Sequence, residues 1–253
     1  MLFDTHAHLD HRNFDGDREE IFAGLADAGV SRILNVGCDL TSSLRSVALA
    51  EKYPYVWAAV GSHPDDADAF GAAQLAMYRQ LAGNPRVRAI GEIGLDYHYP
   101  DGPGKVAQMR CFTAQLELAR ELEKPVILHV REAMGDALDI LAQFPEVRGV
   151  FHCYSGSAEQ AVQLTKKGWY IGFTGVVTFH NARKAVETAA AIPMDRMLLE
   201  TDCPYMAPEP ERGKRCDSRM VGRTAAKLAE IRGVTVEELA QITAENGCRL
   251  FGI

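Results

Sequence analysis

Two histidines one residue apart, His6 and His8, follow the apolar pair Leu2-Phe3 almost at the start of the chain. In an extended segment alternate side chains share a face, so both imidazoles project the same way and can grip one divalent cation. An H-x-H pair arises easily by chance. Here four more ligand-type residues each close or follow an apolar run: Glu92 after 87–91, His129 after 126–128, His152 after 150–151, and Asp202 after 197–200. A polar side chain in such a place is costly unless it is paired or metal-bound. Singly, each reads as a hydrogen-bonded structural residue; together, four histidines and two carboxylates read as a metal centre.

Six ligands exceed the four of one tetrahedral ion, so the pattern implies two divalent ions. A carboxylate bridges two ions most readily, and Glu92 is the candidate because its strand lies between those of the other ligands. His6, His8 and Asp202 then complete one shell, and His129 with His152 the other. Mixed imidazole and carboxylate donors admit Zn2+, Mn2+ or Mg2+.

The elements that must position these residues recur along the chain. Eight β-rich runs (2–4, 33–36, 56–60, 87–91, 126–129, 150–152, 169–172 and 197–200) are separated by stretches long enough for a crossover helix. Their largely continuous apolar character suits strands buried on both faces of a parallel sheet. Between them, Met109, Phe112, Leu116 and Ala119 mark one helical face. Ser157 with Gln160, and Thr235 with Glu238, match the capping box, while Gly83 and Gly168 stand where helices stop. The expectation is an α/β fold, a (β/α)8 TIM barrel forming one domain over residues 1–253, with the ligands at the C-terminal ends of its strands. A doubly wound sheet would advertise a nucleotide loop, and Gly91-Glu92-Ile93-Gly94 fits neither G-x-G-x-x-G nor the Walker pattern. Segments 99–104 and 207–213 read as rim loops after strands four and eight.

Composition bounds the function. No apolar run reaches the length of a membrane span and no basic-then-apolar segment opens the chain, so a cytoplasmic protein with no membrane contact and no obligatory protein partner is expected. Six cysteines without a C-x-x-C pair indicate neither a disulfide framework nor a zinc ribbon. Cys153 and Cys203 adjoin proposed ligands, but alternation turns them away from the site. A formal charge of −7 excludes coating of nucleic acid by bulk electrostatics. It leaves a nuclease open, since bound metal ions offset part of that charge. The basic stretch Arg212, Lys214, Arg215, Arg219 and Arg223 reads as a solvated loop entering a helix before it reads as a phosphate patch.

The chain resembles the TatD family of metal-dependent deoxyribonucleases, within the amidohydrolase-like barrels. The resemblance runs through Asp4-Thr5-His6-Ala7-His8-Leu9-Asp10, Val60-Gly61-Ser62-His63-Pro64, Gly91-Glu92-Ile93-Gly94-Leu95-Asp96-Tyr97 and His129-Val130-Arg131-Glu132-Ala133. It continues in His152-Cys153-Tyr154-Ser155-Gly156-Ser157, Gly172-Phe173-Thr174-Gly175, Glu200-Thr201-Asp202-Cys203-Pro204-Tyr205 and Asn246-Gly247-Cys248-Arg249-Leu250-Phe251. It implies a barrel with metals on His6, His8, Glu92, His129, His152 and Asp202, and hydrolysis of phosphodiesters in nucleic acid. The expected activity is exonucleolytic, on single-stranded DNA, with His63 facing the substrate phosphate. Two ions about 3.5–4 Å apart would activate water and clamp the phosphate. Asp202 would serve as general base, Glu92 as the catalytic bridge, and Arg131 as a bidentate phosphate contact. For Arg131 the alternative is a salt bridge with Glu132 or Glu200, and Glu200 itself reads as a group orienting metal ligands. Phe70, Phe179 and Tyr205 are candidates for stacking on bases.

The family pattern Arg-Gly-Lys-Arg-Asn-Glu-Pro becomes Arg212-Gly213-Lys214-Arg215-Cys216-Asp217-Ser218 here, and loss of the proline predicts a looser loop. Two rival readings follow from the same residues. One is a small-molecule hydrolase acting on a phosphoester, lactone or amide. The other is a non-catalytic binding protein, which would predict erosion of the ligand set. A lysine-bridged centre is disfavoured, because strand four offers Glu92 and the next lysine is Lys105.

Overall fold

The structure, a computed structural model, describes residues 1–253. Strands β1 (Leu2–Ala7), β2 (Val30–Val36), β3 (Val56–Val60), β4 (Val87–Asp96), β5 (Val126–Arg131), β6 (Gly149–Phe151), β7 (Tyr170–Phe173) and β8 (Met197–Leu199) form one sheet in chain order. Helices α1 (Arg18–Ala23), α2 (Leu40–Lys52), α3 (Ala72–Ala82), α4 (Lys105–Glu121), α5 (Met134–Leu141), α6 (Ala158–Lys166) and α7 (Arg183–Ala191) alternate with them, and α8 (Val221–Arg232) and α9 (Val236–Phe251) follow β8. The sheet closes where Ala7 bridges Cys203 in parallel, with Asp202 N donating to His6 O (2.9 Å) and His8 N to Cys203 O (2.9 Å). This is the (β/α)8 barrel that the eight runs predict. Closure satisfies the backbone groups that an open edge would leave exposed. The chain clusters into two compact units, Met1–Asn35 with His152–Ile253, and Val36–Phe151.

In the first unit β1 pairs with β2 and β7 with β8. Helix α9 lies against β1, where Phe3 meets Phe251 edge-on at 6.4 Å. A Cβ at Gly247 would come within 2.7 Å of the Phe3 ring, so the close approach of helix to strand needs glycine there. Asn246 anchors the same helix by donating to the carbonyls of Met194 (2.8 Å) and Met197 (2.9 Å), at the start of β8. The N-cap half of each capping box forms: Ser157 Oγ accepts from Gln160 N, and Thr235 Oγ1 from Glu238 N.

The second unit holds α2 followed by β3 to β6, with α3 to α5 between those strands. Strand β4 runs on to Asp96, five residues past the end the sequence suggests, because its pairing with β5 continues from Ile93↔Leu128 to Asp96↔Arg131. Gly94 makes this extension feasible, since a Cβ there would strike His129 O at 1.9 Å. Helix α4 buries Phe112, Leu116 and Ala119 as its apolar spacing requires, and adds two buried glutamines seven residues apart. Each clamps the backbone of one residue beside the site. Gln115 accepts from Ser62 N (2.8 Å) and donates to Ser62 O (3.0 Å). Gln108 accepts from Asp96 N (2.8 Å) and donates to Asp96 O (2.7 Å). The helix thus fixes the strand ends that carry polar side chains, and does not merely cover the sheet.

Candidate metal centre

In the first unit, β1 delivers His6 and His8, with their Nε2 atoms 3.1 Å apart. Asp202 Oδ1, just past β8, lies 3.4 Å from His8 Nε2, 4.0 Å from His6 Nε2 and 3.8 Å from His152 Nε2. His6 and His152 stack with ring centroids 3.5 Å apart. Donors that are each about 2.1 Å from one ion lie roughly 3 to 4 Å from one another, and this set has that spacing. The sequence pairs His152 with His129, whereas in the structure His152 joins Asp202, His6 and His8.

Behind His152 stands Glu200, fully buried, whose Oε2 accepts from Cys153 N and lies 3.0 Å from His152 Nδ1. A carboxylate on Nδ1 leaves Nε2 to act as donor toward a metal. The carboxylate rests on the bare backbone of Gly172, where a Cβ would come within 2.2 Å of Glu200 Oε1. Under β1, Asp4 is fully buried and accepts from Thr201 N (3.0 Å) and Thr201 Oγ1 (2.7 Å). Burial pushes its carboxyl up to about 7, against the opposing hydrogen bonds from Ser218 and Thr201. Burial also opposes ionisation of Asp202, but the imidazoles of His152, His8 and His6 outweigh it and hold that carboxyl below its usual range. Asp202 (φ 58°) and Cys153 (φ 40°) adopt the left-handed region, unusual for residues with a side chain. Such backbone strain clusters where the surrounding structure holds functional groups in place.

The second unit brings together His63, Glu92 and His129, whose ligand atoms lie within 4.8 Å of one another. His129 Nδ1 stands 3.1 Å from Glu92 Oε1, and its Nε2 stands 2.8 Å from Asp96 Oδ2. Burial disfavours a charged imidazole here, yet Asp96 and Glu92 together raise His129 to about 10. A site that holds a proton this firmly between an imidazole and a carboxylate suits a divalent cation in its place. His63 meets His129 edge-on, with ring centroids 4.3 Å apart, and its Nδ1 accepts from Asp65 N. Both donor sets therefore fit divalent metal by chemistry and by spacing.

Three contributors, Asp96, Gln108 and Gln115, escape the sequence reading. His63, expected to face the substrate, falls into a donor group with Glu92 and His129. Asp96 lies four residues beyond Glu92, a spacing that shares a face only because pairing with β5 extends the strand that far. Gln108 and Gln115 act through backbone clamps that no motif announces.

Arg131 meets neither expected carboxylate. Glu132 pairs with His98 at 2.7 Å, Glu200 serves His152 and Cys153, and the Arg131 guanidinium lies over Tyr99, donating to its hydroxyl at 3.2 Å. Most of the basic stretch is neutralised locally. Arg215 pairs with Asp17, Arg219 with Asp217 and Arg223 with Glu211, while Arg212 covers the Phe179 ring at 4.2 Å. Hydrogen bonds hold the chain at Ser218, where the family pattern has proline. Ser218 is fully buried and hydrogen-bonded to Asp4, and Asp217 caps the turn Ser218–Met220 through Arg219 N. Buried polar bonds replace the constraint that proline would have supplied. Of the stacking candidates, Phe70 is buried, and Tyr205 is 53% exposed beside His11. All six cysteines are free thiols, and no helix is long and apolar enough to cross a membrane.

Comparison with known proteins bears on what this centre does. The sequence profile of the family described as TatD related DNase matches residues 3–252. An uncharacterized metal-dependent hydrolase, YabD of Bacillus subtilis, is 43% identical, with 100% of each chain covered. The 3'-5' ssDNA/RNA exonuclease TatD of Cronobacter sakazakii is 36% identical over 99% of this chain and 97% of its own. The crystal structure of YJJV, a TatD homolog from Escherichia coli K12, superposes with a TM-score of 0.93 at 33% identity, covering 100% of this chain and 98% of that one.

Proposed function

The chain belongs to the TatD-related DNase family of metal-dependent hydrolases, and from that premise we propose that it is an exonuclease cleaving phosphodiester bonds of single-stranded DNA. The observation that supports this most is the pair of donor sets: His6, His8, His152 and Asp202 in one, and His63, Glu92 and His129 in the other. The similarity to a relative named as a single-strand exonuclease supports the substrate class. In this reading each set would hold a divalent ion, with Glu92 among the donors of the second. The bound ions would supply Lewis acidity toward the phosphate and lower the pKa of water.

The chain's own groups do the rest. Asp202, kept ionised by three imidazoles, accepts the proton of the attacking water. Glu200 and Asp96 hold the rings of His152 and His129 in register. His63 and Arg131 orient the phosphate, Arg131 through its planar fork of donors.

The test is hydrolysis of end-labelled single-stranded DNA by metal-stripped protein, with Mg2+, Mn2+ or Zn2+ restored separately. A metal-dependent ladder, absent with Glu92→Ala, is the expected result. Protein that holds metal but cleaves no oligonucleotide would overturn the reading in favour of a small phosphoester or lactone.

A further inference from the structure

Next to the His63, Glu92 and His129 set, the end of β4 and the end of β5 present an aromatic and a cation in contact. Tyr99 follows Asp96 by three residues and is 54% exposed, in a chain whose large apolar side chains are mostly buried. Arg131 stands two residues past His129, on the same face of β5. Its guanidinium carbon lies 5.2 Å from the Tyr99 ring centroid. His98 packs against that ring at a steep angle, with centroids 5.0 Å apart, and is itself held by Glu132 at 2.7 Å. The backbone beneath is pinned too: Asp96 Oδ1 accepts from His98 N (2.8 Å), and Tyr97 N donates to Arg131 O (3.0 Å). The ring is therefore flanked by the imidazole and the cation, with 54% of the residue left to solvent.

Charge gives this pair a direction. Glu92 and Asp96 stand beside this pair, 3.1 Å and 2.8 Å from the two ring nitrogens of His129. Arg131 lies opposite Asp96 in the β4–β5 register, yet it forms no ion pair; its guanidinium instead bonds the tyrosine hydroxyl. An arginine kept beside carboxylates without neutralising any of them is placed for an arriving anion. An exposed aromatic next to a phosphate-binding cation is how single strands are held without regard to sequence.

We propose that Tyr99 and Arg131 form a nucleotide subsite, in which the nucleobase adjoining the scissile phosphate stacks on Tyr99 while Arg131 takes that nucleotide's phosphate. The inference rests on the nuclease reading above and adds to it a preference for intact bases next to the cut. Tyr99 is a binding residue that discriminates among substrates and takes no part in bond breaking.

The experiment compares the metal-loaded enzyme on two single-stranded oligonucleotides of equal length. One is intact, and the other carries a single stable abasic nucleotide at the terminal or penultimate position. Wild type is expected to favour the intact strand by about tenfold in kcat/KM, within the range of base–aromatic stacking. Tyr99→Leu should erase that preference and Tyr99→Trp should keep it, while Arg131→Gln should weaken both substrates and flatten the salt dependence. A Tyr99→Leu protein that discriminates as wild type does, with cleavage otherwise intact, overturns the subsite alone. Cleavage of methyl 4-nitrophenyl phosphate with no cleavage of either oligonucleotide overturns the nuclease reading, and the subsite with it. Because Tyr99 is exposed, unchanged thermal unfolding and metal content are the expected controls for its variants.

Discussion

His129 and His152 are built alike: each imidazole has a buried carboxylate on one nitrogen and a candidate ligand position at the other. Asp96 serves the first and Glu200 the second. Glu200→Gln retains an acceptor but loses the charge, so metal affinity is expected to fall by about 10- to 100-fold, as for other groups behind a ligand. Titration of metal-stripped protein with Zn2+, followed by calorimetry, reads it. An unchanged affinity would make Glu200 merely structural. Glu92→Ala should lower metal content and reduce cleavage by a factor of at least about a thousand, the scale of losing a catalytic ion. Asp4 has a different consequence. Its folded pKa of about 7 exceeds the unfolded value of 3.8, so its contribution to stability is present below pH 4 and is lost as pH rises toward 7. In urea unfolding of the metal-free protein, Asp4→Asn should flatten that decline between about pH 4 and 7. Identical slopes for variant and wild type would dissociate Asp4 from the effect.

At the scale of elements, function depends on where strands end and what clamps them. Gly172 in β7 leaves room for the Glu200 carboxylate, and an added methyl would have to occupy the space of both oxygens. Gly172→Ala should therefore reproduce the metal-affinity loss of Glu200→Gln while far-UV circular dichroism stays unchanged. Helix α4 holds the backbone on either side of the second donor set through Gln108 and Gln115. Gln115→Leu leaves Ser62 N and O without their buried partners, at about 1–3 kcal/mol for each unsatisfied group. Denaturant unfolding should show that loss, and the loosened His63 loop should raise KM more than it lowers kcat. These helix and strand boundaries were only partly legible in sequence. Apolar runs located all eight strands, yet the extension of β4 to Asp96 could not be read, because polar and glycine residues there pair as strand only by lying beside β5.

For the whole molecule, the boundary between the two compact units falls inside β2 and directly after β6. A fragment of residues 36–151 would therefore start with the last residue of β2 and end with the last residue of β6. We expect the full chain to unfold in one cooperative transition, and the isolated fragment to show none. A sigmoidal urea transition from the fragment would establish it as an independent domain.

The fold class and the six ligand-type positions stood in the sequence, since both are matters of type and spacing. Eight apolar runs demand a sheet covered by helices, and polar residues at their ends are costly unless something binds them. Partnership was decided only by the folded chain. Which histidine faces Asp202, that His63 joins Glu92 and His129, that Arg131 leans on Tyr99 and that Ser218 bonds Asp4 all depend on side chains far apart along the chain. Periodicity reports which face a residue occupies on its own strand or helix. It is silent on which residue of another element that face will meet, and hydrogen bonds and coordination act over a few ångströms of space, whatever the separation along the chain.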